Sequence, residues 1–150
     1  YLLIYGELPN RTERDQFSRE IRKHTLVHED VKRFFDAFPK DAHPMATLSS
    51  VVTAQSTFYL DSLDPKDPEQ VQQSIVRLMA KLPTIAAYAY KKSIGQPFVY
   101  PKNSLKYTGN FLHMMFAVPS EDYQVSPVLE KAFIPQVEDV VQGLKELAEY

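Results

Sequence analysis

The segment DPEQVQQSIVRLMAKLPTIAAYAYKKSIG, residues 67–95 of this 150-residue chain, has the pattern of a long helix. Asp67 can cap a helix N-terminus, Pro68 suits the first helical position, and Gln70 completes a capping box. Apolar residues then recur on one face with the period of an α-helix. They are Val71, Ile75, Leu78, Met79 and Leu82. Pro83 either breaks or kinks this helix, and Gly95 offers a C-terminal stop beyond Lys91 and Lys92.

The segments on both sides also predict helices. Val31, Phe34, Phe35 and Phe38 fall at i, i+3, i+4 and i+7, and Pro39 follows where a helix cannot continue. The run from Pro44 to Tyr59 keeps this period, and small residues on its other faces indicate burial on more than one side. Three further helices are expected, after a capping box of Thr12 and Asp15, over 105–116 and over 126–150.

Strand alternation is brief and confined to residues 98–100. No internal repeat and no linker long enough to divide domains occurs. We therefore predict an all-α fold, a multi-helical bundle of about six helices that forms one domain over residues 1–150.

Composition narrows the classes of function. The chain is 44% hydrophobic and 24% charged, with a formal net charge of −2, so no strong field favours nucleic acid or an acidic membrane as partner. It contains no cysteine, which excludes disulfides and thiol nucleophiles. No apolar run approaches the roughly 20 residues that a spanning helix needs, and no secretory signal is present, so we expect a cytoplasmic protein. The chain opens at Tyr1 without an initiator methionine, which suggests an excised or incompletely represented polypeptide.

Several blocks of sequence resemble bacterial citrate synthases of the type II, hexameric kind, in the order and spacing of that family from Tyr1 to about Phe133. The most specific block is KSIGQPFVYPKN at residues 92–103, followed by NFL at 110–112 and MMF at 114–116. The others are His24-Thr25, His28-Glu29, Phe34-Phe35, His43-Pro44-Met45, YLDSL at 59–63 and KLPTIAA at 81–87.

The resemblance implies that the chain is a segment of the large helical domain. In that family the helices matching residues 44–61 and 68–94 take part in dimer packing, so a homo-oligomer through these helices is expected. Helices with several apolar or small faces need such a covering surface. Residues 134–150 do not match the family pattern, and their amphipathic stripe predicts a helical tail.

The family condenses acetyl-CoA with oxaloacetate to citrate, the entry reaction of the tricarboxylic acid cycle. Its catalytic histidines and aspartate lie in motifs such as His-Ala-Asp-His-Glu and Gly-Pro-Leu-His-Gly-Gly, and this sequence contains none of them. We therefore assign no catalytic residue and expect the chain alone to be inactive. The alternatives are a noncatalytic helical dimerisation module and a nucleotide-responsive regulatory module derived from the same family.

A regulatory nucleotide site is implied by the family branch that NADH inhibits. Lysine replaces an arginine of that branch at residue 23 and cannot reproduce its bidentate contacts, and Ser120 replaces a cysteine. Arg77 and Lys81 lie one helical turn apart, where an anion would relieve their repulsion. The alternative is a solvated basic face without a ligand. The positions that match the nucleotide site are Lys23, His24, Thr25, Leu26, Tyr59, Arg77 and Lys81.

Other candidate sites have weaker patterns. His24 and His28 have the spacing of two zinc ligands on one helix, but the metalloprotease pattern is incomplete. Ser49 and Ser50 lack the Gly-x-Ser-x-Gly context of a serine nucleophile. We expect no metal and no cofactor. The aromatic residues of the region 88–107 could stack a ligand, although filling the junction after the long helix is favoured. They are Tyr88, Tyr90, Phe98, Tyr100 and Tyr107.

Overall fold

The computed structural model describes residues 1–133 and is all-α over that range, which confirms the predicted fold class. An isolated bridge joins Val118 and Glu121, and residues 98–100 form no strand. The predicted helical tail over 134–150 lies outside the described residues. The α-helices are α1 (Leu2–Tyr5), α2 (Arg11–Lys23), α3 (Val31–Asp36), α4 (Pro44–Ala54), α5 (Pro68–Ser93), α6 (Tyr107–Phe116) and α7 (Pro127–Ala132).

The long helix α5 begins as predicted and organises the domain, because α2, α3, α4 and α6 all pack against it. The Asp67 carboxylate accepts hydrogen bonds from the backbone amides of Glu69 (2.9 Å) and Gln70 (3.5 Å). The side chain of Gln70 donates to Asp67 and accepts from the amides of Leu63 and Asp64. Gln70 therefore holds the preceding loop as well as the cap. Of the two outcomes left open for Pro83, a break does not occur, since α5 continues through it to Ser93.

Several predicted helix boundaries are wrong. The helix expected from residue 105 begins at Tyr107, and α7, within the helix expected over 126–150, ends at Ala132. The capping box of α2 is formed by Asn10 and Glu13, whose side chains each accept the other residue's backbone amide, at 3.0 and 2.8 Å. The predicted pair, Thr12 and Asp15, lies inside that helix. Downstream, α4 ends at Ala54, and a short 3₁₀ turn (Gln55–Thr57) replaces its predicted continuation to Tyr59. A second 3₁₀ turn (Leu60–Ser62) follows.

The core lies where α3, α4 and α5 meet and is partly aromatic. Val31, Phe35, Val51 and Tyr88 are fully buried there. Phe98 stacks on Tyr88 with ring centroids 4.5 Å apart and planes 11° apart. These two members of the predicted aromatic cluster therefore pack together in the junction after α5.

Lys91 is fully buried near the C-terminal end of α5. Its Nζ atom donates to the Gln96 side chain (2.6 Å) and to the Ala117 carbonyl (2.7 Å). Burial lowers its pKa. Lys91 thus joins the end of α5 to the residue that follows α6.

No helix within residues 1–133 is long and apolar enough to cross a membrane.

Candidate functional site

Lys81 lies at the centre of the predicted nucleotide site and connects α5 to the loop after α2. Its side chain is only 5% exposed. The Nζ atom donates to the backbone carbonyl of His24 (2.8 Å) and to that of Leu26. It also lies 5.0 Å from the centre of the Tyr59 ring, a distance at which cation–π attraction operates.

Arg77, one turn before Lys81, makes a bidentate ion pair with Asp61. Its two terminal nitrogens lie 2.7 and 2.8 Å from the two carboxylate oxygens, and one of them also donates to the Ser62 hydroxyl at 2.8 Å. The guanidinium carbon lies 4.8 Å from the centre of the Tyr59 ring. Arg77 and Lys81 therefore both lie within cation–π distance of the same aromatic ring.

The repulsion between these two cations is offset by protein groups. Asp61 neutralises Arg77, and two carbonyl oxygens accept from Lys81. The electrostatic strain that remains appears in the pKa of Lys81, which burial and the neighbouring Arg77 lower to about 8. The pKa of Asp61 is lowered by its hydrogen bond to Arg77. An anion that binds here has to compete with Asp61 for Arg77.

The side chains of residues 23–26, next to Lys81, have different contacts. The Lys23 ammonium pairs with Glu20 at 2.7 Å on its own helix. The pKa of His24 is lowered, first by partial burial and then by the positive charges of Lys81 and Arg77. Thr25 is buried, its hydroxyl donates to the Arg22 carbonyl (3.1 Å), and its own carbonyl accepts from the Thr84 hydroxyl (2.8 Å).

We call Lys23, His24, Arg77 and Lys81 the basic cluster. The structure brings its last three members together, with Tyr59 beside them, whereas Lys23 lies at the edge. Leu26 exposes half of its side chain beside its buried carbonyl contact. Nucleotide binding by these residues stays a prediction.

His24 and His28 do not share a helix, because α2 ends at Lys23 and both histidines lie in the following loop. The His28 ring packs on Phe58 at a centroid distance of 4.9 Å. Its Nδ1 atom accepts from the Asp30 amide at 3.2 Å. Across residues 1–133, no three histidine, aspartate or glutamate side chains gather in a group that could hold a metal ion.

Sequence reasoning missed three polar residues around the basic cluster. Asp61 binds Arg77, Asn103 lies 3.3 Å from the Thr25 hydroxyl, and Gln55 is buried beside Tyr59. Their separations along the chain, 16 residues for the first pair and 78 for the second, match no helical or strand period. Only the tertiary fold brings them to the site.

The helical arrangement of this chain matches solved structures. The crystal structure of citrate synthase from Pyrobaculum aerophilum matches with a TM-score of 0.70 and 27% identity, over 87% of this chain and 33% of that one. The enzyme from Thermotoga maritima gives a TM-score of 0.67 at 23% identity, over 87% of this chain and 31% of that one, and supports the fold alone. The fold is thus that of a citrate synthase helical domain.

Sequence comparison identifies the family of this chain. Residues 1–139 match the model of the citrate synthase C-terminal domain. Citrate synthase 1 of Mycobacterium tuberculosis, in the CDC 1551 / Oshkosh and H37Rv strains, is 60% identical over 132 residues, which are 88% of this chain and 31% of the relative. The chain therefore belongs to the citrate synthase family, and it spans about a third of the length of these relatives.

Proposed function

We propose that this chain is a segment of the large helical domain of a citrate synthase of the bacterial type II, hexameric kind. In the whole protein it would contribute to the condensation of acetyl-CoA with oxaloacetate, in the cytoplasm, at the entry to the tricarboxylic acid cycle. The observation that carries this proposal is 60% identity over 132 residues to a curated citrate synthase. The shared helical fold adds support.

The chain alone is expected to form no citrate, because its sequence lacks the histidine and aspartate motifs that the resemblance implies for proton transfer. A test is the release of free coenzyme A thiol from acetyl-CoA and oxaloacetate. The second arm is a chimera in which this chain replaces the 132 aligned residues of the mycobacterial relative. We expect turnover from the chimera and none from the chain, and the relative deleted for the same residues is the control.

Turnover by the purified chain would overturn the expected inactivity. A chimera that folds and forms no citrate would overturn the proposal that this chain serves as that part of the enzyme.

Self-association through α4 and α5 is the second candidate, because these helices and the turns between them expose large apolar side chains. Leu60 is 75% exposed, Met45 60% and Leu63 51%. Such a surface is expected to be covered by a partner, and a second copy of the chain is the occupant that we propose. Leu78 and Leu82 of α5 add to it.

Sedimentation velocity of the chain tests this association. We expect a dimer that Leu78→Glu converts to monomer, because a buried charge opposes packing of the two faces. Val128→Glu, at a highly exposed apolar residue of α7, is the matched control and should leave the dimer intact. A monomeric wild-type chain at high micromolar concentration would contradict the proposal.

A nucleotide-responsive role is the third candidate, with the convergence of Arg77, Lys81 and Tyr59 in its favour. Calorimetric titration with NADH tests it. We expect heat of binding in the wild type and loss of that heat in Arg77→Gln. Arg33→Gln is the control, because Arg33 is highly exposed and does not belong to the basic cluster. A folded chain that gives no heat at millimolar NADH would exclude this role.

A further inference from the structure

An apolar cavity opens between α5, α6 and the segment that joins α3 to α4. Its volume is about 350 Å³. Phe38, Phe111 and Met115 contribute large apolar side chains to its lining, and Ala86 and Ala89 contribute small ones from α5. Because small side chains on a helix let a neighbouring element approach closely, this part of α5 can accept further apolar side chains.

Two polar side chains of the lining already hold partners within the protein. The Ser93 hydroxyl donates to the Tyr90 carbonyl at 2.8 Å, and the Lys92 ammonium pairs with Asp36 at 2.7 Å. A small-molecule site usually offers convergent polar groups that orient its ligand. An apolar stretch of polypeptide therefore suits this cavity better than a polar small molecule does.

The chain leaves the described region beside this cavity. Phe133 is the last described residue, and its ring lies 6.3 Å from that of Phe111, centroid to centroid. Phe111 lines the cavity. The seventeen residues that follow, 134–150, would span roughly 25 Å as a helix. They are thus connected to the molecule within one side chain of the cavity.

The sequence of residues 134–150 predicts an amphipathic helix with an apolar face. Its apolar residues recur with the period of a helix, and Pro135 suits the first turn of a helix that starts after α7. Gln142 and Glu146 fall on the opposite face. The apolar residues are Val137, Val140, Val141, Leu144 and Leu147.

The charges of this segment are opposite to those beside the cavity. The segment carries a single lysine, Lys145, and four acidic residues, whereas Lys40 and Lys92 belong to the cavity lining. Opposite charges favour docking of the segment over docking of a basic partner. The acidic residues are Glu138, Asp139, Glu146 and Glu149.

We propose that residues 134–150 dock onto this cavity as a helix, with their apolar face covering Ala86, Ala89 and Phe111. A second copy of the chain is the competing occupant. The side chains proposed above for self-association lie outside the cavity lining, so both contacts can form in one molecule. Those side chains are Met45, Leu60, Leu63, Leu78 and Leu82.

A spin label on residues 134–150 tests the proposal in the full chain. The chain contains no cysteine, so Glu146→Cys gives a single attachment point for a nitroxide, on the face away from the cavity. Met115 lines the cavity, and its isotope-labelled methyl group reports on the distance to the nitroxide. We expect the Met115 methyl signal to lose most of its intensity, and to regain it when ascorbate reduces the nitroxide.

Two matched substitutions in the labelled chain identify the face that docks. Each adds one negative charge. Leu144→Glu places it on the apolar face and should restore the Met115 signal, because a charge opposes burial in an apolar cavity. Gln142→Glu places it on the opposite face and should leave the broadening unchanged. Circular dichroism confirms the fold of each variant.

A mixed sample distinguishes docking within one chain from docking between two. Spin-labelled chains are mixed with separate chains that carry only the isotope label. We expect no broadening of Met115 in this mixture. Broadening there would assign the cavity to a second copy and overturn the proposal. An unaltered Met115 signal in the folded, doubly labelled chain, or broadening that survives Leu144→Glu, would overturn it as well.

Discussion

The phenol of Tyr107, the first residue of α6, donates a 2.8 Å hydrogen bond to the backbone carbonyl of Met79 in the middle of α5. Pro83 lies four residues after Met79 and has no amide hydrogen, so the Met79 carbonyl lacks its regular helical donor. Tyr107 supplies the replacement. The side chain therefore allows α5 to continue through Pro83 and attaches α6 at the same point.

Tyr107→Phe should lower the free energy of unfolding by about 1 kcal/mol, because the Met79 carbonyl loses its donor while the ring packing is kept. Urea denaturation measures this loss. In a Pro83→Ala background, where residue 83 regains its amide, the same substitution should cost less. Equal losses in the two backgrounds would show that the hydrogen bond does not compensate for Pro83.

Tyr88→Phe should have the opposite result, although it also removes one phenol oxygen. The Tyr88 residue is fully buried, its hydroxyl has no hydrogen-bond partner in the region 1–133, and burial raises its pKa to about 12. Since an unpaired buried hydroxyl costs about 1–3 kcal/mol, its removal should leave stability unchanged or raise it by about 1 kcal/mol.

Tyr107→Phe is the matched control for this measurement, because its hydroxyl is paired. A loss of stability in Tyr88→Phe as large as that in Tyr107→Phe would mean that a group outside the described contacts binds the Tyr88 hydroxyl.

The elements that could be predicted from the sequence are those with short-range signals. Asp67 and Pro68 define the start of α5 because capping depends on residues within one turn. At α2 the predicted capping box of Thr12 and Asp15 does not form, and the structure uses Asn10 with Glu13. The shorter carboxylate of Asp15 instead pairs with Arg14 at 3.0 Å. The local pattern therefore predicted the helix but placed its N-cap two residues too late, at Thr12 and not at Asn10.

The site was predictable only where its residues share a helix. Arg77 and Lys81 lie one turn apart, so their proximity follows from sequence. The partners of Lys81 are backbone carbonyls 55 and 57 residues away, and a carbonyl carries no signal of residue type. Asp61 lies in a 3₁₀ turn beyond Tyr59, where the predicted helix ended. The tertiary fold alone explains why this basic cluster is largely neutralised.

Asp61→Asn should strengthen the binding of inorganic pyrophosphate several-fold, because it removes the carboxylate that competes for Arg77. Arg77→Gln should weaken it. Calorimetric titration at two salt concentrations measures both effects, and higher salt should reduce them. Asp15→Asn is the control, since that carboxylate pairs with Arg14 on the exposed surface.

If Asp61→Asn and Arg77→Gln both bind pyrophosphate as the wild type does, the basic cluster is a solvated or internally paired face and no anion site.

Lys81 should make stability depend on pH in the alkaline range. Its pKa is lowered from 10.5 to about 8 in the folded chain, first by burial and then by Arg77. Between these two values the unfolded chain holds a proton that the folded chain has released, so the free energy of unfolding should rise with pH. Tyr88, whose pKa is raised to about 12, acts in the opposite direction only above about pH 10.

The measurement is urea denaturation from about pH 8 to about pH 10, compared between the wild type and Lys81→Met. We expect the stability difference to grow in favour of the wild type as pH rises, because only the wild type carries the titrating amine. Lys40→Met, at an exposed lysine, should run parallel to the wild type. The expected pKa shift is contradicted if the stability curve of Lys81→Met runs parallel to that of the wild type and the Cε resonance of Lys81 in the wild type titrates near pH 10.5. The two carbonyl contacts of Lys81 would then stabilise its ammonium form enough to offset its burial.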